Sequence, residues 1–195
     1  MDFENADVDD RVRIAYEKGR DYEARATDCC QCTIAAVQEA VGCEDDVVLR
    51  SGSPFAGGVA FTTRGQCGAL TGAVMVIGQL CGRTRDAFDA DAEREVGDPD
   101  FDYVAATKGW DHAYELVERF VIEYGSPICR EISDQVIGRM EGEEFVRPDS
   151  PARSALSKHR TVDSHDLEGC PTVVGNAAAW TTEIVLREGL HEATD

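Results

Sequence analysis

Apolar positions recur along this chain at intervals of three and four residues, and no segment sustains the alternation that a half-buried strand requires. Val12, Ala15, Tyr16 and Gly19 stand at i, i+3, i+4 and i+7, which predicts a helix over 8–27 with a narrow buried stripe. Ile34, Val37 and Val41 share one face of a helix that starts at Cys29 and stops at Gly42, a C-cap residue. A short helix follows over 46–50, and the glycine-rich stretch 52–65 reads as a loop. Residues 68–80 are apolar almost all round and predict a central buried helix, with Gly72 and Gly78 allowing close helix packing and Gly82 as its stop. An acidic helix over 84–95 is broken by Asp98-Pro99.

A long helix is predicted over 101–124, with Tyr114, Val117, Val121 and Tyr124 as its recurring apolar positions, Gly109 interrupting its front half and Gly125 ending it. Ser126-Pro127 offers an N-cap and a first-turn proline for the next helix, which runs to about Val136 with Gly138 as its stop. Cys170-Pro171 opens a last helix to about Glu188. The fold class is therefore all-α, a compact multi-helix domain.

Charge narrows the partners. Acidic residues number 38 against 19 basic ones, for a net charge of −19. Nucleic acid and anionic membrane surfaces need clustered cations, so neither is an expected partner. The acid excess reads as adaptation of the surface to high salt, a halophilic trait, since a strongly charged surface resists aggregation at the cost of self-repulsion. Residues 1–10 carry no positive segment and no apolar run, so a cytoplasmic location is expected. In that reducing compartment eight cysteines call for metal, redox or packing roles instead of secreted disulfides.

Four of the eight fall at predicted helix starts on four different helices. Cys29 follows Asp28, Cys67 stands just before the buried helix, Cys129 lies in the first turn after Ser126-Pro127, and Cys170 precedes Pro171. Free N–H groups and the positive end of the helix dipole favour a thiolate there, and thiolate is both nucleophile and metal ligand. Four such N-termini converging would form one cysteine site. Cys43 and Cys81 fall at helix ends, where the dipole opposes a thiolate, and are assigned to buried packing. Cys30 and Cys32 point in different directions from Cys29 around the same helix and are assigned to packing too, although Cys29 and Cys32 make a C-x-x-C pair.

The segment Cys67-Gly68-Ala69-Leu70-Thr71-Gly72 matches the CGAxxG element of the C_GCAxxG_C_C family of redox-active proteins, which this chain resembles over about 29–186. The family's first cysteine falls on Cys29, within Asp28-Cys29-Cys30-Gln31-Cys32. A glycine-rich stretch like Phe55-Ala56-Gly57-Gly58 precedes the CGAxxG element. The third cysteine sits in a phrase like Gly125-Ser126-Pro127-Ile128-Cys129-Arg130-Glu131, and the fourth opens a C-terminal helix like that from Cys170. The resemblance thus selects the same four cysteines as the helix starts. It implies one domain over 1–195: a helical extension over 8–27, a family-like core over 29–139 and 170–188, and a polar insertion or lid over 141–169.

The resemblance implies redox activity, and an iron–sulfur cluster through a related domain associated with one. Three readings follow: a four-thiolate iron–sulfur site on Cys29, Cys67, Cys129 and Cys170 for electron transfer or redox sensing, a metal-free thiol–disulfide protein on the same residues or on Cys29 with Cys32, and a structural zinc site. Gly57, Gly58 and Gly68 could let backbone approach the sulfurs, and Arg130 could place a cation beside Cys129. The chain lacks C-x-x-C-H, so covalent haem is not expected, and no histidine follows Cys32 as in peroxidases of the alkylhydroperoxidase type. His112, His159, His165 and His191 read as solvated surface, with His159 and His165 on the insertion. A redox partner protein is implied without being identified, and a homo-oligomer is left open.

Overall fold

The computed structural model describes residues 7–137 and 169–193. Eight α-helices run in the order α1 (Val8–Ala26), α2 (Cys29–Val41), α3 (Asp46–Gly52), α4 (Gly68–Cys81), α5 (Arg85–Ala92), α6 (Tyr103–Tyr124), α7 (Cys129–Val136) and α8 (Cys170–Arg187) among the described residues, with short 3₁₀ turns at Ser53–Phe55 and Leu190–Ala193. Among the same residues the only strand-like pairing is an isolated antiparallel bridge between Gln66 and Ile128. The all-α class expected from the periodicity is what forms. Gly138 and residues 141–168, with Pro148, Pro151, His159 and His165, lie outside the described residues.

Local chemistry explains most boundaries. The Asp28 carboxylate accepts the Gln31 N–H at the start of α2, and Gly42 ends that helix in the left-handed conformation at φ 75°. Asp45 and Thr84 cap α3 and α5 in the same way. Thr27 takes a left-handed φ of 56° and donates its N–H to Glu23 O, so α1 turns into α2 with only Thr27 and Asp28 between them.

The core lies where α2 is surrounded by α1, α4 and α8. Ile34, Val37, Leu70, Ile77, Val174 and Ile184 are fully buried there, each worth about 1.5–3 kcal/mol in transfer terms. Gly72 lets α4 rest directly on the Cys30 carbonyl of α2. Gly78, expected to serve in the same way, faces open space.

Three further expectations are corrected. Gly109 does not interrupt α6, which is continuous from Tyr103 to Tyr124. The face that α6 buries is Leu116, Phe120 and Tyr124, while Tyr114 is 66% exposed and Val121 39%. Phe120 and Tyr124 instead meet Trp180 of α8 at ring distances of 5.5 and 6.3 Å, and these contacts fix the rotation of the helix. Finally, Ser126 does not cap α7. Its Oγ accepts the Ile128 N–H, and the helix begins at Cys129 because Ile128 is extended and pairs with Gln66.

Candidate functional site

The four selected cysteines all stand at helix starts. Cys29, Cys129 and Cys170 are the first residues of α2, α7 and α8, and Cys67 is the N-cap of α4. Two of these starts are tied to each other by backbone. Cys67 N–H donates to Pro127 O at 2.8 Å, Cys129 N–H to Gly65 O at 3.0 Å, and Arg130 N–H to Thr63 O at 3.0 Å. The Gln66–Ile128 bridge thus sets the first turn of α4 beside that of α7.

Cys29 reaches the same place from α2. Its Sγ accepts the Gly57 N–H at 3.5 Å and lies against the α-carbon of Gly68, where any Cβ would overlap it. Gly58 performs the same service for Cys129: a Cβ there would stand 2.6 Å from the Cys129 Cβ, and its φ is +69°. Gly57, Gly58 and Gly68 all lie against sulfur-bearing residues.

The loop holding these glycines is unusual. Gly57, Gly58, Val59, Ala60 and Phe61 all have positive φ, as does Thr63. Each non-glycine residue in that region costs about 1–2 kcal/mol. The turn is held by Ala60 N–H to Pro54 O at 2.8 Å, Phe61 N–H to Ala56 O at 2.9 Å and Thr63 N–H to Gly57 O at 2.9 Å. Strained backbone that is over-determined by hydrogen bonds gathers at functional sites, and here it wraps Cys29 and Cys129.

Burial dominates the electrostatics. Cys67 and Cys129 are only 7% and 8% exposed. Desolvation pushes the Cys67 thiol up to about 12, the Cys129 charge adds to the rise, and the Leu70 and Ala69 N–H groups oppose it. Cys29 and Cys170 are raised well above the ordinary thiol value, first by burial and then by the nearby charges of Glu23 and Cys67. Cys129 rises less, since Ser133 and the Arg130 cation both favour its thiolate. The expectation that helix starts lower these thiols is overturned: N–H donors are present at Cys29 and Cys67, but loss of water outweighs them. Arg130 itself is exposed and acts on Cys129 by charge alone.

One residue that sequence reasoning missed is Glu23, on the last turn of α1. Burial raises its carboxyl to about 8, the Cys32 thiol opposes the rise, and the charge of Asp28 adds to it. Its stem keeps some exposed surface, yet Oε2 is buried and has no partner among the described residues. The stripe Val12, Ala15, Tyr16, Gly19 continued by one turn lands on this position, which was the available signal.

The remaining cysteines divide as expected in part. Cys30 and Cys32 are buried in the core, with Cys30 Sγ 4.0 Å from the Met75 sulfur. Cys43 and Cys81 are half-buried, since they sit at the open ends of α2 and α4. Cys81 Sγ falls back on Ile77 O at 3.1 Å. His112 and His191 are half-buried rather than fully solvated. Among the described residues no three His, Cys, Asp or Glu side chains are grouped as for a single metal ion, and no helix is long and apolar enough to cross a membrane.

A family model described as "Putative redox-active protein (C_GCAxxG_C_C)" matches residues 27–184. No curated protein and no solved structure matches the chain. The family match spans most of the sequence and includes Cys29, Cys67, Cys129 and Cys170, and the chain belongs to this family.

Proposed function

From membership of that family, we propose that Cys29, Cys67, Cys129 and Cys170 are the ligands of an iron–sulfur cluster, and that the protein serves electron transfer or redox sensing. The observation that carries the reading is the combination of helix-start placement with deep burial. Thiols pushed up by burial, Cys67 to about 12, stay protonated at neutral pH unless a cation replaces the lost water. A bound cluster supplies that positive iron and an electron that can be gained or lost with little rearrangement.

The chain's own groups suit such an occupant. Gly57 N–H reaches Cys29 Sγ, and the Leu70 and Ala69 N–H groups reach Cys67, the kind of N–H to sulfur contact that tunes a cluster's potential. Gly58 and Gly68 keep the space beside Cys129 and Cys29 free of side chain. A metal-free dithiol has less support, because exchange requires thiolate and burial suppresses it.

Anaerobic purification with assay of iron, acid-labile sulfide and zinc, together with the visible spectrum, tests the reading. Iron and sulfide in equal amounts, lost on Cys67→Ser, is the expected result. A colourless protein with full thiol titre after anaerobic reconstitution overturns it.

A further inference from the structure

α6 carries more apolar surface than the fold buries. Leu116, Phe120 and Tyr124 face inward, and α6 packs on α4 and α8. A second stripe runs along the adjoining face of the helix: Tyr103, Thr107, Trp110, Tyr114, Val117 and Val121, at intervals of four and three residues in alternation. Tyr103 and Trp110 are both 71% exposed, and Tyr114 and Val121 are exposed with them. Tyr114, Val117 and Val121 are positions whose recurrence predicts a buried face, yet two of the three stand in water.

Single apolar residues on a surface are ordinary, but a continuous stripe with three aromatic rings marks a contact. None of its six residues is charged, and the exposed Asp111 and Glu118 lie on the side away from the core. Alternating four–three spacing is the seam along which helices pair. This one reads the same from either end about His112. In an antiparallel pair related by a two-fold axis, Trp110 of each copy meets Tyr114 of the other, Thr107 meets Val117, and Tyr103 meets Val121. At their exposures the three aromatic residues put roughly 400–500 Å² of each copy into contact, over half of the roughly 800 Å² that each partner gives to a stable interface.

We propose that this stripe of α6 is a homodimer interface, in which α6 of two copies pairs antiparallel and salt sets the affinity. Each copy carries a net charge of −19, so the copies repel one another. Salt shortens the reach of that repulsion from about 10 Å at 0.1 M to about 3 Å at 1 M, and it leaves the burial of the uncharged seam in place. The dimer is therefore weak in dilute buffer and tight in strong salt. It does not depend on what the cysteines hold.

Sedimentation equilibrium of the full chain at 0.1 M and 2 M NaCl tests the proposal. The variants are Trp110→Glu, Tyr114→Glu and the control Val96→Glu, at a fully exposed residue outside α6. Circular dichroism confirms that each is folded. Wild type and Val96→Glu should be dimers in 2 M NaCl and associate about tenfold or more weakly at 0.1 M. Trp110→Glu and Tyr114→Glu should each weaken the dimer about a hundredfold or more in 2 M NaCl, because each change enters the interface twice. A photoreactive benzophenone in place of Tyr103 reads the direction of pairing and should link to residues 117–124 of the other copy.

A wild type that stays monomeric in 2 M NaCl overturns the proposal. So does a dimer that Trp110→Glu leaves intact, or one that tightens as salt falls. A benzophenone link to residues 100–107 of the other copy overturns the antiparallel arrangement, and a link within one chain assigns the stripe to another segment of the same molecule and overturns the dimer.

Discussion

The two ends of α4 carry the same pair of residue types with opposite consequences. At its start, Cys67 and Gly68 are buried, and Gly68 presses on the Cys29 sulfur, Phe55 O and Ala56. At its end, Gly78 faces open space and Cys81 is half-buried over its own helix. A cysteine and a glycine near each other are thus no signature in themselves. What distinguishes the two ends is helix polarity, which supplies free N–H groups only at the start, and the neighbours that converge there. α7 is joined to the start by backbone hydrogen bonds, whereas at the end Cys81 lies near Gly109 of α6, with the Lys108 charge acting on its thiol.

The sharpest way to break this contrast is to remove each sulfur. Cys67→Ser is expected to lose all reconstituted iron, while Cys81→Ser keeps the wild-type amount. Equal iron in both, by colorimetric assay after desalting, would end the distinction. Next in size is thiol reactivity in the metal-free protein. With Cys67 raised to about 12, only about one thiol in ten thousand is thiolate at pH 8. Cys81 is also raised by burial, but Lys108 opposes the shift and the residue is half exposed to reagent. Iodoacetamide should label Cys81 well before Cys67, read by peptide mass spectrometry. Equal rates would mean that the start of the helix is open to solvent.

The glycines offer a smaller and independent comparison. Gly68→Ala forces a methyl group onto Cys29 Sγ and should cost about 1–3 kcal/mol. Gly78→Ala fills empty space on an exposed helix surface and should gain about 0.5–1 kcal/mol. Urea denaturation of the two variants checks both signs.

The smallest effect concerns Glu23. Burial lifts its carboxyl from the ordinary 4.5 to about 8, so the folded state binds the proton more tightly. That contribution is complete below pH 4.5 and is lost as pH rises through 8. Metal-free wild type should therefore lose stability relative to Glu23→Gln between pH 7 and 8, by at most about 1.4 kcal/mol. Parallel urea midpoints across that interval would show that Glu23 is already ionised in the fold.

Much of this was legible in the chain, and the failures have physical causes. Asp28, Gly42, Thr84 and Gly125 mark boundaries because caps are local chemistry, decided by residues a turn apart. Ser126-Pro127 misled because Ile128 is held extended by Gln66, a partner far away in sequence. The stripe on α6 was misplaced because Tyr114 and Val121 are apolar yet outward, while Leu116 and Phe120 face inward, Phe120 against Trp180. The four cysteines could be selected from helix starts and a family pattern, but not their titration, since burial is not written in spacing. The left-handed run was invisible for a related reason: Val59, Ala60 and Phe61 have no preference for positive φ, and only the packing around them imposes it.

The hydrogen-bonded seam that joins 63–67 to 127–130 spans roughly sixty residues of intervening chain. Closing a loop of that length costs about 3–4 kcal/mol in chain entropy before any contact repays it. The junction of α1 and α2, by contrast, is two residues long. Glu23 and Cys29 are thus set beside each other early, and Cys67 and Cys129 are brought together late. On loop length, the α1–α2 junction is expected to form before the seam, and α8, which packs on α1 across a still longer stretch of chain, is expected to dock later again.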